Sequence, residues 1–144
     1  MHEPITPLYL TSDIRRLEQT EAGGSLMAKA GQALATLAME IAESDDPILI
    51  IAGPGNNGGD ALVAARHLKQ HWQQVIVVLV GDPKKLPADA AQAYQAWLAV
   101  GGSCRDAIPE NTRFSLAIDG LFGIGLQRPL EGRFAELVKQ INQL

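Results

Sequence analysis

The stretch that decides the fold is Ile48-Leu49-Ile50-Ile51-Ala52-Gly53-Pro54-Gly55-Asn56-Asn57-Gly58-Gly59-Asp60. Its first five residues form an unbroken apolar run between Pro47 and Gly53. Strict alternation would mark a strand with one wet face. A short continuous run marks a strand buried on both faces, as in a parallel sheet. The segment after the glycines predicts a helix from about Gly58 to His71, with Ala61, Ala65, Leu68 and Trp72 on one face.

Downstream the alternation of strand and helix continues. Val75 to Val80 predicts a second buried strand, and Pro87 to Val100 a helix with Ala91, Tyr94, Trp97 and Leu98 inward. Phe114 to Ile118 predicts a third strand, weakened by Ser115, and Glu131 to Ile141 a last helix with Phe134, Leu137, Val138 and Ile141 inward. Upstream, Thr11 and Ser12 are candidate N-caps for a short helix from Asp13 to about Glu21. Gly23-Gly24 interrupts it. A longer helix then spans about Ser25 to Glu43, with Met27, Ala30, Leu34, Leu37 and Ile41 as its apolar stripe. The expected architecture is α/β: a Rossmann-like three-layer α/β/α domain over residues 1–144, with a mostly parallel sheet preceded by N-terminal helices. Three strands leave an open sheet edge, which a further strand or another chain would cover.

Composition excludes several classes. A hydrophobic fraction of 47% over 144 residues supports one real core, and 19% charged residues is too few for a disordered chain. The net charge is −4 and the 12 basic residues are scattered, which argues against nucleic acid as a partner. No apolar run is long enough to span a membrane, and Met1 to Leu10 lacks the basic start of a signal peptide. The single cysteine, Cys104, excludes a disulfide framework. A cytoplasmic protein is expected.

In a doubly wound sheet, ligands bind beyond the carboxyl ends of the strands. Gly53 to Asp60 lies at such an end. Glycines there let backbone N–H groups approach an anion at a helix N-terminus, so a phosphate or diphosphate is the expected ligand group. Gly53, Gly55 and Gly58 satisfy G-x-G-x-x-G, and Asp82 stands where a dinucleotide-binding fold holds a ribose, although Gly81-Asp82-Pro83 also reads as a turn. Asn56, Asn57 and Asp60 add side-chain oxygens that a plain diphosphate cradle does not need. They suit a cation or a sugar hydroxyl, while a bland reading makes Asn57 or Asp60 a helix cap. A second glycine loop follows the third strand, Asp119-Gly120-Leu121-Phe122-Gly123-Ile124-Gly125-Leu126-Gln127-Arg128-Pro129. Parallel strands put it on the same edge as the first. Asp119 is aimed into the crevice or, alternatively, is a buried acid held by backbone N–H groups. Arg128 is the strong cation near the loops, suited to phosphate unless it pairs with Glu131. His2, His67 and His71 lack a ligand pattern, with His67 and His71 on a solvated helix face. Cys104 has no base partner, and Trp72 and Trp97 read as core.

Gly53 to Asp60, followed by Leu62-Val63-Ala64-Ala65-Arg66-His67-Leu68, resembles the signature of the YjeF N-terminal domain family, the NAD(P)HX epimerases. Asp119 to Leu126 resembles the family's second motif, and Leu26-Met27-Ala28-Lys29-Ala30-Gly31 its N-terminal helix. Two positions depart: Ala61 stands where the family usually has glycine, and Gly120 where it usually has alanine. The resemblance implies an isomerase that interconverts the R and S forms of hydrated NADH or NADPH in nicotinamide-nucleotide repair. It implies substrate contacts from Asn56, Asn57, Gly58, Gly59, Asp60, Gly123, Ile124, Gly125, Leu126, Gln127, Arg128 and Pro129, and a potassium ion (K+) held by Asn57 and Asp119. The family continues into a further strand with an Asp and a Pro-Ser-Gly turn, so the chain resembles the front part of the domain. A fused or separate NAD(P)HX dehydratase and a homo-oligomer are the implied partners. Asp60, the acid within the first motif, is the candidate for proton transfer. Two rival readings are an NAD-linked oxidoreductase, for which no second domain supplies a hydride-transfer acid, and a non-catalytic scaffold such as the YjeF-like module of mRNA-decapping enhancers, which has no need of Asn57, Asp60 and Asp119 together.

Overall fold

A computed structural model describes residues 7–21 and 23–144. Its elements run α1 (Thr11–Thr20), α2 (Gly23–Ile41), β1 (Ile48–Ala52), α3 (Asn56–Gln70), β2 (Val75–Leu79), α4 (Ala88–Ala99), β3 (Cys104–Arg105), β4 (Leu116–Gly120) and α5 (Gly132–Ile141), with a short 3-10 turn at Pro83–Lys85. The four strands form one parallel sheet in the order β3-β2-β1-β4. Every residue of β1 is buried, as its continuous apolar run requires.

Alternate residues of the central strands enter different cores. Ile48, Ile50 and Ala52, with Val77, Leu79 and Ile118, pack with residues of α2, α3 and α4. Leu49 and Ile51, with Val78, pack with Leu137 and with Phe134, Val138 and Ile141 of α5. That is the expected three-layer α/β/α arrangement. The chain leaves β1 for β2 and β3 on one side, then returns to β4 on the other. The strand order therefore reverses between β1 and β4, where α/β sheets open a ligand crevice.

Several expectations are corrected. The third strand lies two residues further on: regular pairing starts at Leu116, opposite Ile48, with Ser115 N–H donating to Pro47 O at 3.1 Å just before it. β3 is a fourth strand that sequence periodicity missed, since two residues show no period. On α2 the buried positions are Met27, Gly31, Ala35 and Ala38, while Ala30, Leu37 and Ile41 are exposed. Small residues win because α2 lies close on α3: a Cβ on Gly31 would meet Val63 Cβ at 2.4 Å. Gly23 and Gly24 belong to α2 rather than preceding it. α1 begins at Thr11 with Leu10 as its N-cap and no side-chain cap bond, so neither Thr11 nor Ser12 caps it. On α4 the buried residues are Ala90, Ala93 and Trp97; Leu98 is exposed, and Ala91 and Tyr94 are half-buried. His2 lies outside the described residues.

Trp72 is not core. It is 94% exposed and sits at φ 63°, just past the end of α3. The N–H of Gln73 donates to Leu68 O and that of Trp72 to Lys69 O, both at 3.0 Å. This is the Schellman arrangement, which wants a left-handed residue at the position Trp72 fills. α4 ends the same way with Gly101 there, at φ 76°. Replacing Trp72 with Gly removes the left-handed penalty and an exposed ring. Trp72→Gly is expected to stabilise the fold by about 1 kcal/mol, read as a higher urea midpoint with unchanged m-value.

Candidate active site

Both glycine loops leave the same edge of the sheet, because β1 and β4 are parallel and end level, Ala52 against Gly120. They are joined through backbone. Gly53 N–H donates to Gly120 O at 2.9 Å. A Cβ on Gly53 would lie 1.9 Å from Leu121 O, and one on Gly58 2.0 Å from Gly53 O. Gly59 likewise has no room, with Met27 Cε 2.5 Å from its Cβ position. So Gly53, Gly58 and Gly59 serve close packing, whereas Gly55 and Gly125 face open space. Of the G-x-G-x-x-G triplet, only Gly55 is placed for a ligand to approach.

α3 starts at this junction with Gly55 as its N-cap and no side-chain cap bond, so Asn57 and Asp60 are not caps. The first N–H groups of a helix have no intrahelical partner and carry the positive end of its dipole. Here they open into a cleft of about 530 Å³ between the loops, lined by Gly55, Asn57, Asp60, Phe122, Gly123 and Gly125 among others. Asn57 Oδ1 stands 3.6 Å from the Cβ position of Gly123. α1 closes the cleft with Ile14 and Glu18. A second cleft of about 560 Å³ adjoins it between α1, α2, α3 and α4, sharing Glu18, Asn56 and Asp60 with the first.

Asp60 thus stands where the two clefts meet. It is half-buried, and its pKa is raised from 3.8 to about 6, first by burial and then by the charge of Glu18. Burial disfavours the ionised carboxylate, and a like charge adds to the effect.

The remaining expected residues divide. Ile124 and Leu126 line the first cleft with Gly123 and Gly125. Arg128 and Pro129 do not; they line a separate cavity of about 230 Å³ with Phe122 and Phe134, and Gln127 is exposed. Phe122 and Leu126 are shared by the two. In this part of the loop Phe122 packs against Phe134 of α5 as a tilted ring pair, centroids 4.8 Å apart and planes at 59°. Among the described residues Arg128 makes no ion pair with Glu131. Asp119 is not buried: it is exposed, and its Oδ1 accepts the Leu121 N–H at 3.0 Å. Asp82 is turn chemistry, accepting the Lys84 N–H at 2.9 Å. Cys104 is half-buried with its thiol pKa raised by burial, which keeps it protonated. His67 is half-buried and His71 exposed; burial lowers the His67 pKa, helped by Arg66 and His71. Among the described residues no group of three or more His, Cys, Asp or Glu side chains is placed to hold a metal.

Sequence reading missed Ile14, Arg15 and Glu18 of α1, and Asp89 of α4, as residues of the clefts. No local signal marks them, since α1 has no buried residue and reads as a solvated helix.

Residues 23–144 match the family model described as YjeF-related protein N-terminus. The chain belongs to that family. An NAD(P)H-hydrate epimerase of Bordetella pertussis (strain Tohama I) is 44% identical over 138 residues, 90% of this chain and 60% of that protein. A protein of Thermofilum pendens named bifunctional NAD(P)H-hydrate repair enzyme Nnr is 38% identical over 81% of this chain and 24% of its own length. The crystal structure of yeast ynu0 superposes with a TM-score of 0.73 at 23% identity, over 85% of this chain and 56% of that one, which shows the shared fold. The chain spans about 60% of the length of the Bordetella epimerases it matches.

The two departures from the family pattern touch each other. A Cβ on Gly120 would lie 2.6 Å from Ala61 Cβ, so the interface between β4 and α3 has room for one methyl group, not two. Gly120→Ala is expected to cost about 1–3 kcal/mol by overpacking. Ala61→Gly in the same chain should restore part of it; Ile51 O, 2.9 Å from the new Cβ, limits the recovery. A double-mutant cycle by urea unfolding reads the coupling.

Asp60 also predicts a pH effect. Its folded pKa lies above its ordinary value, so stability is fullest below pH 3.8 and falls as pH rises through about 6. Asp60→Asn removes that loss. The variant should melt higher than the parent at pH 8, with the difference shrinking below pH 6 and gone near pH 4, by thermal melts across pH.

Proposed function

We propose that this chain belongs to an enzyme that interconverts the R and S forms of hydrated NADH and NADPH, an isomerase of nicotinamide-nucleotide repair. The observation that carries the reading is the half-buried Asp60, set where a cleft bounded by two glycine loops meets a second cleft. The names of the relatives support the substrate class. The first cleft suits the diphosphate, through Gly55 and Gly125 and the N-terminal N–H groups of α3.

Inverting the hydroxylated ring carbon requires its C–O bond to break and re-form from the other face, or the ring to open and close. By the first route a proton adds to the hydroxyl as it leaves as water, and a proton is returned to the acid when water adds back. A carboxyl with a pKa of about 6 populates both forms near neutrality, so Asp60 can give the proton and take it back. Burial that makes it a poor carboxylate makes it a usable acid.

Potassium belongs to the same reading. Asn57 and Asp119 offer only oxygen donors, as a hard cation prefers. Asn57 is not spent on capping α3, and Asp119 engages Oδ1 with its own backbone, so the donor set fits. Bound there, the ion would supply fixed positive charge beside the diphosphate cleft. The same proposal takes the protein as cytoplasmic, as a homo-oligomer, and as working with a fused or separate dehydratase. Two relatives named as bifunctional repair enzymes support the last partner. Among the described residues no helix is long and apolar enough to cross a membrane.

The test is an R-to-S epimerisation assay on this chain and on a form extended to the relatives' full length, with and without K+. Activity that rises with K+ in the extended form, and that Asp60→Asn lowers by about 100-fold or more, is the expected result. Full activity in Asp60→Asn removes the acid assignment. Two folded but inactive forms leave the scaffold reading in its place.

A further inference from the structure

α2 buries Met27, Gly31, Ala35 and Ala38 against the body of the protein. Its opposite face carries Lys29, Ala33, Thr36 and Glu40, at steps of four, three and four residues. On a helix that spacing keeps side chains in one line, the pattern by which two helices pack along a seam. All four are exposed, and with Gln32 and Leu37 they line a shallow groove of about 480 Å³. Ala33 and Thr36 are small, so the middle of the stripe is low and the long charged side chains stand at its two ends. Along one flank Leu37 and Ile41 are 50% and 49% exposed. Neither the core nor the glycine loops make use of this face.

The stripe is complementary to itself. Its midpoint falls between Leu34 and Ala35. Lys29 stands as far before that point as Glu40 stands after it, and Ala33 and Thr36 are related in the same way. Lay a second copy of α2 antiparallel on the first, about a two-fold axis through the midpoint. Lys29 then meets Glu40 of the other copy at both ends, and Ala33 meets Thr36 in between. The small central pair lets the two helices come close, and Leu37 of each copy lies toward Ala30 of the other. A parallel pair would instead set Lys29 on Lys29 and Glu40 on Glu40. Within one chain Lys29 Nζ is 4.0 Å from Glu21 Oε2, but the two side chains are 70% and 53% exposed, so this weak pair leaves Lys29 free to turn to a partner.

We infer that the outward face of α2 is the interface of a homodimer, in which two α2 helices pack antiparallel with Lys29 of each copy against Glu40 of the other. Burial of Leu37 and the alanines supplies the attraction, while the charges fix direction and register. One helix pair is smaller than a standard interface, so the dimer is a weak one. The inference gives the proposed homo-oligomer a surface, and it needs nothing of the proposed reaction.

The test is sedimentation equilibrium from about 10 μM to about 1 mM, on this chain and on a form extended to the relatives' full length. The expected result is a concentration-dependent dimer in both. Lys29→Glu alone, or Glu40→Lys alone, places like charges at both ends of the seam and should raise the dissociation constant by about tenfold or more. The double reversal Lys29→Glu/Glu40→Lys should restore the dimer, which only pairing with a second copy predicts. Glu136→Lys makes the same charge change on the exposed side of α5 and should leave association unchanged. All these positions are exposed, and thermal melts check that each variant is folded. A chain that stays monomeric to about 1 mM overturns the interface. So does a dimer indifferent to the single reversals, or one that the double reversal does not restore. A dimer of this chain that the extended form does not make overturns it as well, because other residues of the protein then cover the face. The reaction is judged separately: a monomer that epimerises removes the interface and keeps the isomerase, and an inactive dimer does the reverse.

Discussion

Gly53 has no space for a side chain, and the rest of the site depends on that. Its N–H donates to Gly120 O, and the carbonyl of Leu121 occupies the place where its Cβ would be. The contact ties the first loop to the second at backbone distance. With any larger residue the loops would separate, the start of α3 would shift, and the cleft between Gly55 and Gly125 would lose its walls. Gly58 repeats the constraint one turn on, against Gly53 O. The glycines of this site divide into those that hold loops together and those that leave room for a ligand, two different uses of a missing Cβ.

Electrostatics follow from that packing. α3 is drawn under the loops with its first turn bare, and Asp60 is carried into a position that is only half-wetted. Asp60 lies past the first turn of α3, and burial, helped by Glu18, leaves it a weak acid. A carboxyl tuned toward neutrality in a cleft is a common mark of proton-transfer chemistry. The protein is acidic overall, so an anionic ligand would depend on local donors, and the uncapped start of α3 offers main-chain N–H groups.

The fold and the main site were legible to a large extent. A continuous apolar run at Ile48 to Ala52 announced a strand wetted on neither face, and the glycines after it located the ligand edge. Asp60 stood out as an acid inside a loop otherwise made of glycine, proline and asparagine. What failed was orientation. Leu37 and Ile41 fit an apolar stripe by spacing, but the close approach of α2 to α3 at Gly31 turned small residues inward and left the larger ones in water. Trp72 fitted a helical spacing, but the helix ends at Gln70 and Trp72 itself takes the left-handed turn that leaves it exposed.

Sequence by itself determined which segments are buried, which loops share an edge and which family the chain resembles, because periodicity, glycine placement and motif order are local properties. Only the tertiary structure decided that α1 lies over the site, that Glu18 faces Asp60, that Asp119 turns to its own backbone, and that a second cleft opens beside the first. Those facts depend on how far one helix sits from another. Packing side chains against each other sets that distance, and no single stretch of sequence contains it.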